Sequence, residues 1–314
     1  MTRVAIVMDP IEHVKTYKDT SFRLALEAQA QGYELLYLEM GDLFVDQGTP
    51  FGSVRPLEVR DQTTNFYTLG DRSVMPLGEI DVILMRKDPP FDLEFVYATH
   101  MLELAERDGA RVINRPQSLR DCSEKLYTAW FPDLIPATMV TRSKEQIRAF
   151  HDKHKDIILK PLDGMGGASI FRVGNDGANL GVIIETLTNH GNRYAMVQEY
   201  MPEIKDGDKR ILMINGEPVP YSLARIPSAG ETRGNLAAGG SGRPQPLSDS
   251  DWELARKVGP ALKEKGLYLV GLDVIGDKVT EINVTSPTCM REIEDHYNIN
   301  IAEMLFEAIF NSGQ

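Results

Sequence analysis

Apolar residues along this chain fall into short runs of strand length and longer stretches with helical spacing, and the two kinds alternate from the N-terminus. Residues 4–8 are a continuous apolar run ending in Asp9-Pro10, the pattern of a buried strand that feeds a loop. A helix is predicted next, capped by Asp19, Thr20 or Ser21, with Phe22, Leu24, Ala25, Leu26 and Ala28 on its apolar face and Gly32 at its end. Residues 33–40 supply the following strand. Strand, helix, strand in that order specifies a parallel βαβ unit. A strand over 81–85, a helix over about 93–107 and a strand at Val112-Ile113 extend it. The fold class predicted for the N-terminal third is α/β, a small doubly wound parallel sheet. Polar, turn-rich residues 42–76 interrupt this sheet and read as hairpins or loop.

A helix-forming stretch over 118–131 carries Lys125. A strand near 138–140 and a helix near 144–154 lead to residues 156–173, D-I-I-L-K-P-L-D-G-M-G-G-A-S-I-F-R-V. Here Lys160 closes an apolar strand, and Gly164, Gly166, Gly167 and Ser169 form a flexible loop leading into another strand-like run. Glycines let main-chain amides come close to phosphate oxygens. No Gly-Lys-Ser/Thr follows, which excludes a P-loop. The dinucleotide fingerprint is excluded too, since its third glycine is Ser169 and a strand comes next. A glycine-rich flap between two strands fits, and a wide hairpin turn is the plainer alternative. Residues 194–200 form a strand ending Gln198-Glu199-Tyr200 and stopped after Met201 by Pro202. Main-chain groups come free there to pair with a base edge. Beyond a turn at 206–208, antiparallel strands over 210–214 and 217–225 bear Arg210 and Arg225. These are either outward solubility charges or a pair that neutralises transferring phosphate charge. Residues 226–247 show the least pattern, and a loop of that length is a lid or a linker. Arg233 and Asn235 near its middle favour a lid. Helices over about 248–265 and 298–310 complete the chain's second half.

Between those two helices, residues 267–291 place two apolar runs around Gly276-Asp277-Lys278, a β-hairpin signal. With a three-residue loop, Ile275 pairs with Val279, Val274 with Thr280 and Asp273 with Glu281. Asn283 then shares their face, because strand side chains alternate with period two. Two carboxylates and an amide suit a hard cation such as Mg²⁺ beside phosphates. A two-residue turn would slip the register and put Asp273 on the other face. An ordinary polar sheet face is the bland reading, but Asp273 interrupts an apolar run where an unpaired carboxylate is costly to bury.

At 314 residues and 42% apolar, the chain is long enough for two or three units with a substantial core, and a soluble globular protein is expected. Its apolar runs are strand-sized, and residues 4–8 lack the length of a signal segment, so neither export nor a membrane partner is predicted. The two cysteines, Cys122 and Cys289, make no disulfide framework or metal quartet and fit a reducing cytoplasm. A net charge of −12 argues against nucleic acid, so any anionic ligand must meet locally gathered Lys and Arg. One such cation is Arg86, which follows a strand and precedes Pro89-Pro90. Ligands of open α/β sheets bind at that end of the strands, where an arginine clamps a carboxylate bidentately. A solvated turn with a helix cap at Asp92 is the alternative.

The order of Lys125, L-K-P-L-D-G-M-G-G-A-S, the strand end at 198–201, the glycine-rich lid and D-V-I-G-D-K-V-T-E-I-N-V-T-S-P resembles the ATP-grasp ligases. M-R-K-D-P-P, D-G-M-G-G-A-S, E-T-R-G-N-L-A-A-G-G and E-I-N-V-T-S-P together resemble the bacterial glutathione synthetases over most of the chain. The resemblance implies an N-terminal domain over 1–122 and an ATP-grasp fold of two α+β subdomains over 123–314, divided into a central lid subdomain (123–200) and a C-terminal subdomain (201–314). It implies a cytoplasmic homo-oligomer that joins γ-glutamylcysteine to glycine through an acylphosphate, releasing ADP and phosphate, with Mg²⁺ or Mn²⁺ as cofactor. By matching motif, Lys125 and Lys160 would hold ATP phosphates, Gly164, Gly166, Gly167 and Ser169 would cover them, Glu199, Tyr200 and Met201 would meet adenine, and Asp208 the ribose. Asp273, Glu281 and Asn283 would bind the metal, and Arg210 and Arg225 would steady the acylphosphate. Arg86 would hold the γ-glutamyl end, with Ser286, Thr288, Arg233 and Asn235 near the acceptor. The alternatives are another carboxylate–amine ligase of this fold, acting on a dipeptide or glutamate, and a nucleotide-binding regulatory module without turnover.

Overall fold

The computed structural model describes residues 1–231, 233–236 and 239–311, which build three sheets. In the N-terminal sheet, Glu34–Leu38, Arg3–Val7, Val82–Met85 and Arg111–Ile113 lie side by side in parallel. Strand side chains alternate between faces. Val4 and Ile6 accordingly share a core with Phe22, Leu24 and Ala28 of helix Thr20–Ala30. Ala5 and Val7 share another with Phe95, Leu102 and Ala105 of helix Leu93–Arg107. Helices on both faces make the sheet doubly wound. Asp19 caps the first helix by accepting from the Phe22 amide, and Asp92 caps the second through Phe95. Residues 42–76 enlarge this sheet with antiparallel strands Leu43–Asp46, Thr49–Val59, Tyr67–Leu69 and Ser73–Pro76, the second of which pairs with Glu34–Leu38.

The helix predicted over 118–131 is broken. An α-helix covers Pro116–Asp121 and a 3-10 turn Leu126–Trp130, with Lys125 just before the turn. Tertiary bonds override helix propensity here. The Glu124 carboxylate accepts from the amides of Val284 and Thr285, and its main-chain carbonyl accepts from Ile282. Those bonds fix the segment against the end of the C-terminal hairpin.

A four-stranded antiparallel sheet follows, in the order Phe171–Val173, Ile157–Pro161, Ala195–Glu199, Thr138–Thr141. Helices Lys144–His154 and Leu180–Thr188 cover it, the latter unforeseen in the sequence. Ile147, Phe150, Ile157, Leu159, Ile184 and Val197 belong to a core separate from the other two.

The last sheet is antiparallel in the order Ser241–Pro246, Glu217–Ile226, Asp208–Ile214, Leu269–Ile275, Lys278–Asn283. Residues 226–247 are therefore not all loop. Ser241–Pro246 is an edge strand, the one place in a sheet where its prolines are tolerated. Ile211, Met213 and Val274 join the core under helix Asp249–Glu264. Leu212 and Ile214 join the core under Met290–Tyr297 and Ile301–Asn311, the first of which was not predicted. Both cores run on into the N-terminal sheet.

Candidate active site

The register of the five-stranded sheet sets a row of charges across one face. Asp208 lies opposite Arg225, Arg210 opposite Asp273, and Asp273 opposite Glu281. Asp208 and Arg210 are two residues apart, as are Leu212 and Ile214 further along, so the polar row continues the buried face where the core ends. The hairpin reaches this arrangement by an unexpected route. Its turn is the two residues Gly276-Asp277, with Ile275 opposite Lys278 and Val274 opposite Val279. That register alone would separate Asp273 from Glu281, but a bulge between Val274 and Asp273 absorbs Thr280 and brings them back opposite each other. Gly271 opens the space, since a Cβ there would stand 2.7 Å from Arg210 Cδ.

Arg210 grips Asp273 with two bonds of 2.6 and 3.2 Å, and Arg225 Nη2 reaches the same carboxylate at 2.8 Å while also bonding Asp208. All four side chains are buried. Burial pushes the Asp273 carboxyl up, yet the two guanidiniums outweigh it and hold the group below the usual carboxylate range. Asp208 is pushed up to about 6 by burial, against the pull of Arg225. Among the described residues its Oδ1 is buried without a hydrogen-bond partner.

Two lysines face this row. Lys125 Nζ donates to Glu281 at 2.9 Å and to the Gly164 carbonyl. Burial lowers its pKa, but Glu281 raises it further, so it is held above the ordinary lysine value. Lys160 Nζ donates to the Thr280 carbonyl at 3.2 Å, and burial brings it down to about 8. Asn283 donates its amide to the Gly271 carbonyl, which leaves its Oδ1 to accept or to bind a cation.

These groups line a cavity of about 430 Å³, roofed by the glycine-rich loop and the lid. Arg233 Nη1 donates to the Gly167 carbonyl at 3.3 Å, and the two loops are packed so closely that a Cβ on Gly167 would lie 2.7 Å from Asn235 Oδ1. Gly167 has φ +82°, a conformation that favours glycine. Ile158, Met165, Met201, Ile204 and Ile275 give one part of the cavity apolar walls beside Glu199 and Tyr200. A flat heterocycle fits such a slot.

The structure brings together Lys125, Lys160, Gly164, Gly166, Gly167, Glu199, Tyr200, Met201, Asp208, Arg210, Arg225, Arg233, Asn235, Asp273, Glu281, Asn283, Ser286 and Thr288, all of which line the cavity. Ser169 and Arg86 do not. Arg86 is buried, donating to Ser21 Oγ at 3.1 Å and to the Pro287 carbonyl at 2.9 Å. Through the Pro287 carbonyl it braces the 286–288 turn. Sequence reasoning missed Glu124, Asp88, Lys18 and Glu292, which also line the cavity. The Asp88 that follows Arg86-Lys87 was the one visible signal among them.

Among the described residues no group of three His, Cys, Asp or Glu side chains forms a metal cage. The donor set still fits a hard divalent cation that completes its shell with phosphate oxygens, because Asp273 and Glu281 are directly opposed and Asn283 keeps an oxygen available.

The family model for the prokaryotic glutathione synthetase N-terminal domain matches residues 2–120, and that for the prokaryotic glutathione synthetase ATP-grasp domain matches residues 124–298. Glutathione synthetase of Salmonella typhimurium is 63% identical over 309 residues, 98% of each chain. That of Escherichia coli K12 is 61% identical over the same share. Among solved structures, the D-cycloserine synthetase DcsG aligns with a TM-score of 0.68 at 12% identity over 98% of this chain and 99% of its own. The ATP-grasp ligase PsnB with its minimal precursor aligns at 0.64 and 19% over 100% and 99%. These two speak for the fold, an N-terminal α/β sheet followed by an ATP-grasp. With both family models matched and relatives above 60% identity along nearly the whole length, the chain belongs to the prokaryotic glutathione synthetase family and is an ADP-forming ATP-grasp ligase.

Proposed function

We propose that the chain joins the cysteinyl carboxylate of γ-glutamylcysteine to the amine of glycine, and that the charge row and its facing lysines carry the chemistry. The observation behind this reading is the convergence of Lys125, Lys160, Arg210 and Arg225 on one cavity wall that also presents Asp273, Glu281 and Asn283. Phosphoryl transfer asks chiefly for positioning and charge neutralisation. A cysteinyl carboxylate oxygen attacks the γ-phosphorus of ATP, and the bond to the ADP oxygen breaks. The glycine amine then attacks the acyl carbon, a proton leaves the nitrogen, and phosphate departs. Lys125 and Lys160 hold the ATP phosphates under the loop of Gly164, Gly166, Gly167 and Ser169. Adenine lies beside Glu199, Tyr200 and Met201 with the ribose near Asp208. Arg210 and Arg225 balance charge on the acylphosphate. Asp273, Glu281 and Asn283 would hold Mg²⁺ or Mn²⁺, which supplies further charge neutralisation at the phosphates. Arg233 and Asn235 close over the acceptor, with Ser286 and Thr288 nearby, and exclude water from an acylphosphate that hydrolyses readily.

The proposed domains are 1–122 and 123–314, the second split at 200, which agrees with the separate core of the middle sheet. No helix among the described residues is long and apolar enough to cross a membrane. The cytoplasm is proposed because Cys122 and Cys289 are both buried and free, and a homo-oligomer is proposed from the family. The relatives do not favour a dipeptide ligase, a glutamate ligase or a module without turnover. Mass spectrometry of the products from ATP, Mg²⁺, γ-glutamylcysteine and a mixture of amino acids tests the reading. Glutathione with one ADP per product is expected. A different acceptor, or AMP as the stoichiometric nucleotide, overturns it.

A further inference from the structure

The apolar slot of the cavity is bordered by Tyr200, the first residue past strand Ala195–Glu199. A chain that has left its sheet needs other partners to fix its direction. Asp156 supplies two. Its carbonyl accepts from the Tyr200 amide at 2.9 Å, and its carboxylate takes Arg172 Nε at 2.9 Å and Arg172 Nη2 at 2.6 Å. The Arg172 guanidinium carbon in turn stands 3.6 Å from the centroid of the Tyr200 ring. Main chain, carboxylate, guanidinium and ring thus close a circuit on one residue, and the two-bond fork sets the plane in which the guanidinium lies.

Register explains how Arg172 comes to be there. It lies opposite Ile158 in the edge strand Phe171–Val173, so the two share a face of the sheet, and Ile158 lines the cavity. Neither Arg172 nor Asp156 is among the described residues that line it. Their side chains keep 39% and 34% of their exposure, and an isolated surface ion pair of that kind contributes little to stability. What sets this one apart is the aromatic ring beneath it. The strand that carries Arg172 also follows directly on the glycine-rich loop, whose last residue, Ile170, lines the cavity.

We propose that Arg172 is a positioning residue for the nucleotide base: forked by Asp156 and stacked on Tyr200, it holds the ring that borders the base slot without itself touching the nucleotide. The inference rests on the functional reading above, which puts adenine beside Tyr200, and deepens it by naming what keeps that border in place.

Binding of ADP with Mg²⁺ and of inorganic pyrophosphate with Mg²⁺ is measured by calorimetry, with unfolding midpoints and steady-state synthesis alongside. Arg172→Met should weaken ADP about fivefold and leave pyrophosphate within about twofold, because only ADP carries the base. KM for ATP should rise by a similar factor, with kcat and the KM values for glycine and γ-glutamylcysteine unchanged. Arg172→Lys keeps the charge but not the planar fork and should restore little of the loss. In a Tyr200→Leu background the further change Arg172→Met should cost ADP affinity nothing, since the ring through which it acts is gone. Asp156→Asn, which keeps the main-chain bond and loosens the fork, should show the same ADP-selective loss at smaller size, and it decides the matter if Arg172→Met lowers the unfolding midpoint. Equal losses for ADP and pyrophosphate, full recovery by lysine, or additive losses in the double variant overturn the assignment while leaving glutathione synthesis intact. A wild type that binds ADP yet makes no glutathione overturns the functional reading, and the ADP measurements then decide the role of Arg172 by themselves.

Discussion

The Lys125 ammonium lies 2.9 Å from the Glu281 carboxylate, so a lysine assigned to ATP phosphates is held by a carboxylate assigned to the metal. A cation on Glu281 and a phosphate on Lys125 therefore relieve each other's partner, and the two ligands should bind with positive coupling. Titration calorimetry should show ATP affinity rising with divalent metal in the wild type and losing most of that dependence in Glu281→Gln. Equal metal dependence in the two proteins would falsify the pairing of roles.

Among the described residues the Asn283 side chain makes one hydrogen bond, to the Gly271 carbonyl. Asn283→Ala should leave the unfolding midpoint nearly unchanged and lower turnover by about two orders of magnitude or more, through loss of positioned positive charge. Wild-type turnover of this variant at saturating Mg²⁺ removes Asn283 from the metal set.

Asp273 is different, because two buried guanidiniums depend on it. Asp273→Asn should cost roughly 3 to 5 kcal/mol of stability as well as activity, since it leaves buried charge uncompensated. Its carboxyl is held below the ordinary 3.8, so its contribution is present above that value and is lost as pH falls beneath it. Chemical denaturation at pH 7 that finds Asp273→Asn as stable as Asn283→Ala contradicts this.

Burial brings Lys160 down to about 8 from an ordinary 10.5. Between those values the folded chain binds fewer protons than the unfolded one, so this group's contribution to stability grows as pH rises through the window. ATP binding runs the other way, because phosphate needs the ammonium. Affinity of the free enzyme should fall as pH rises through about 8, with a proton taken up on binding, and Lys160→Met should abolish the inflection. Calorimetry at pH 7 and pH 9 in buffers of different ionisation enthalpy checks both statements, and affinity that is flat across that range refutes them.

The lid should admit trypsin at Arg233 in the ligand-free protein and resist it with ATP, Mg²⁺ and the dipeptide. Arg243 is paired opposite Ala224 in the edge strand and should be cut more slowly. Arg233→Ala and Gly167→Ala, which drives a Cβ against Asn235, should both release more phosphate per glutathione made. Tight coupling of phosphate to product in both variants would make the segment a structural loop.

The polar face of the hairpin was legible because alternation survives small errors of register. Its turn was not, since nothing in G-D-K-V-T announces that Thr280 is bulged. The helix Leu180–Thr188 escaped notice because G-V-I-I looks equally like a strand, and Ser241–Pro246 because its prolines argue against any sheet position but an edge. Lys125 was found by its motif, although its local structure was misread: the bonds that break the helix at Glu124 come from residues about 160 positions away. Glu292 gives no sequence signal at all, because its place on the cavity wall exists only once its surroundings are folded.

The middle sheet owns its core, and several of the bonds tying it to the rest of the molecule share one chemistry. Lys125 donates to the Gly164 carbonyl, Lys160 to the Thr280 carbonyl and Arg233 to the Gly167 carbonyl. Each sets a full positive charge against a neutral main-chain oxygen, and a triphosphate outbids such an acceptor. In the proposed site Lys125 and Lys160 are the cations assigned to the ATP phosphates, so the arrival of a nucleotide would exchange partners within a standing set of charges and release two of the latches that hold the jaw.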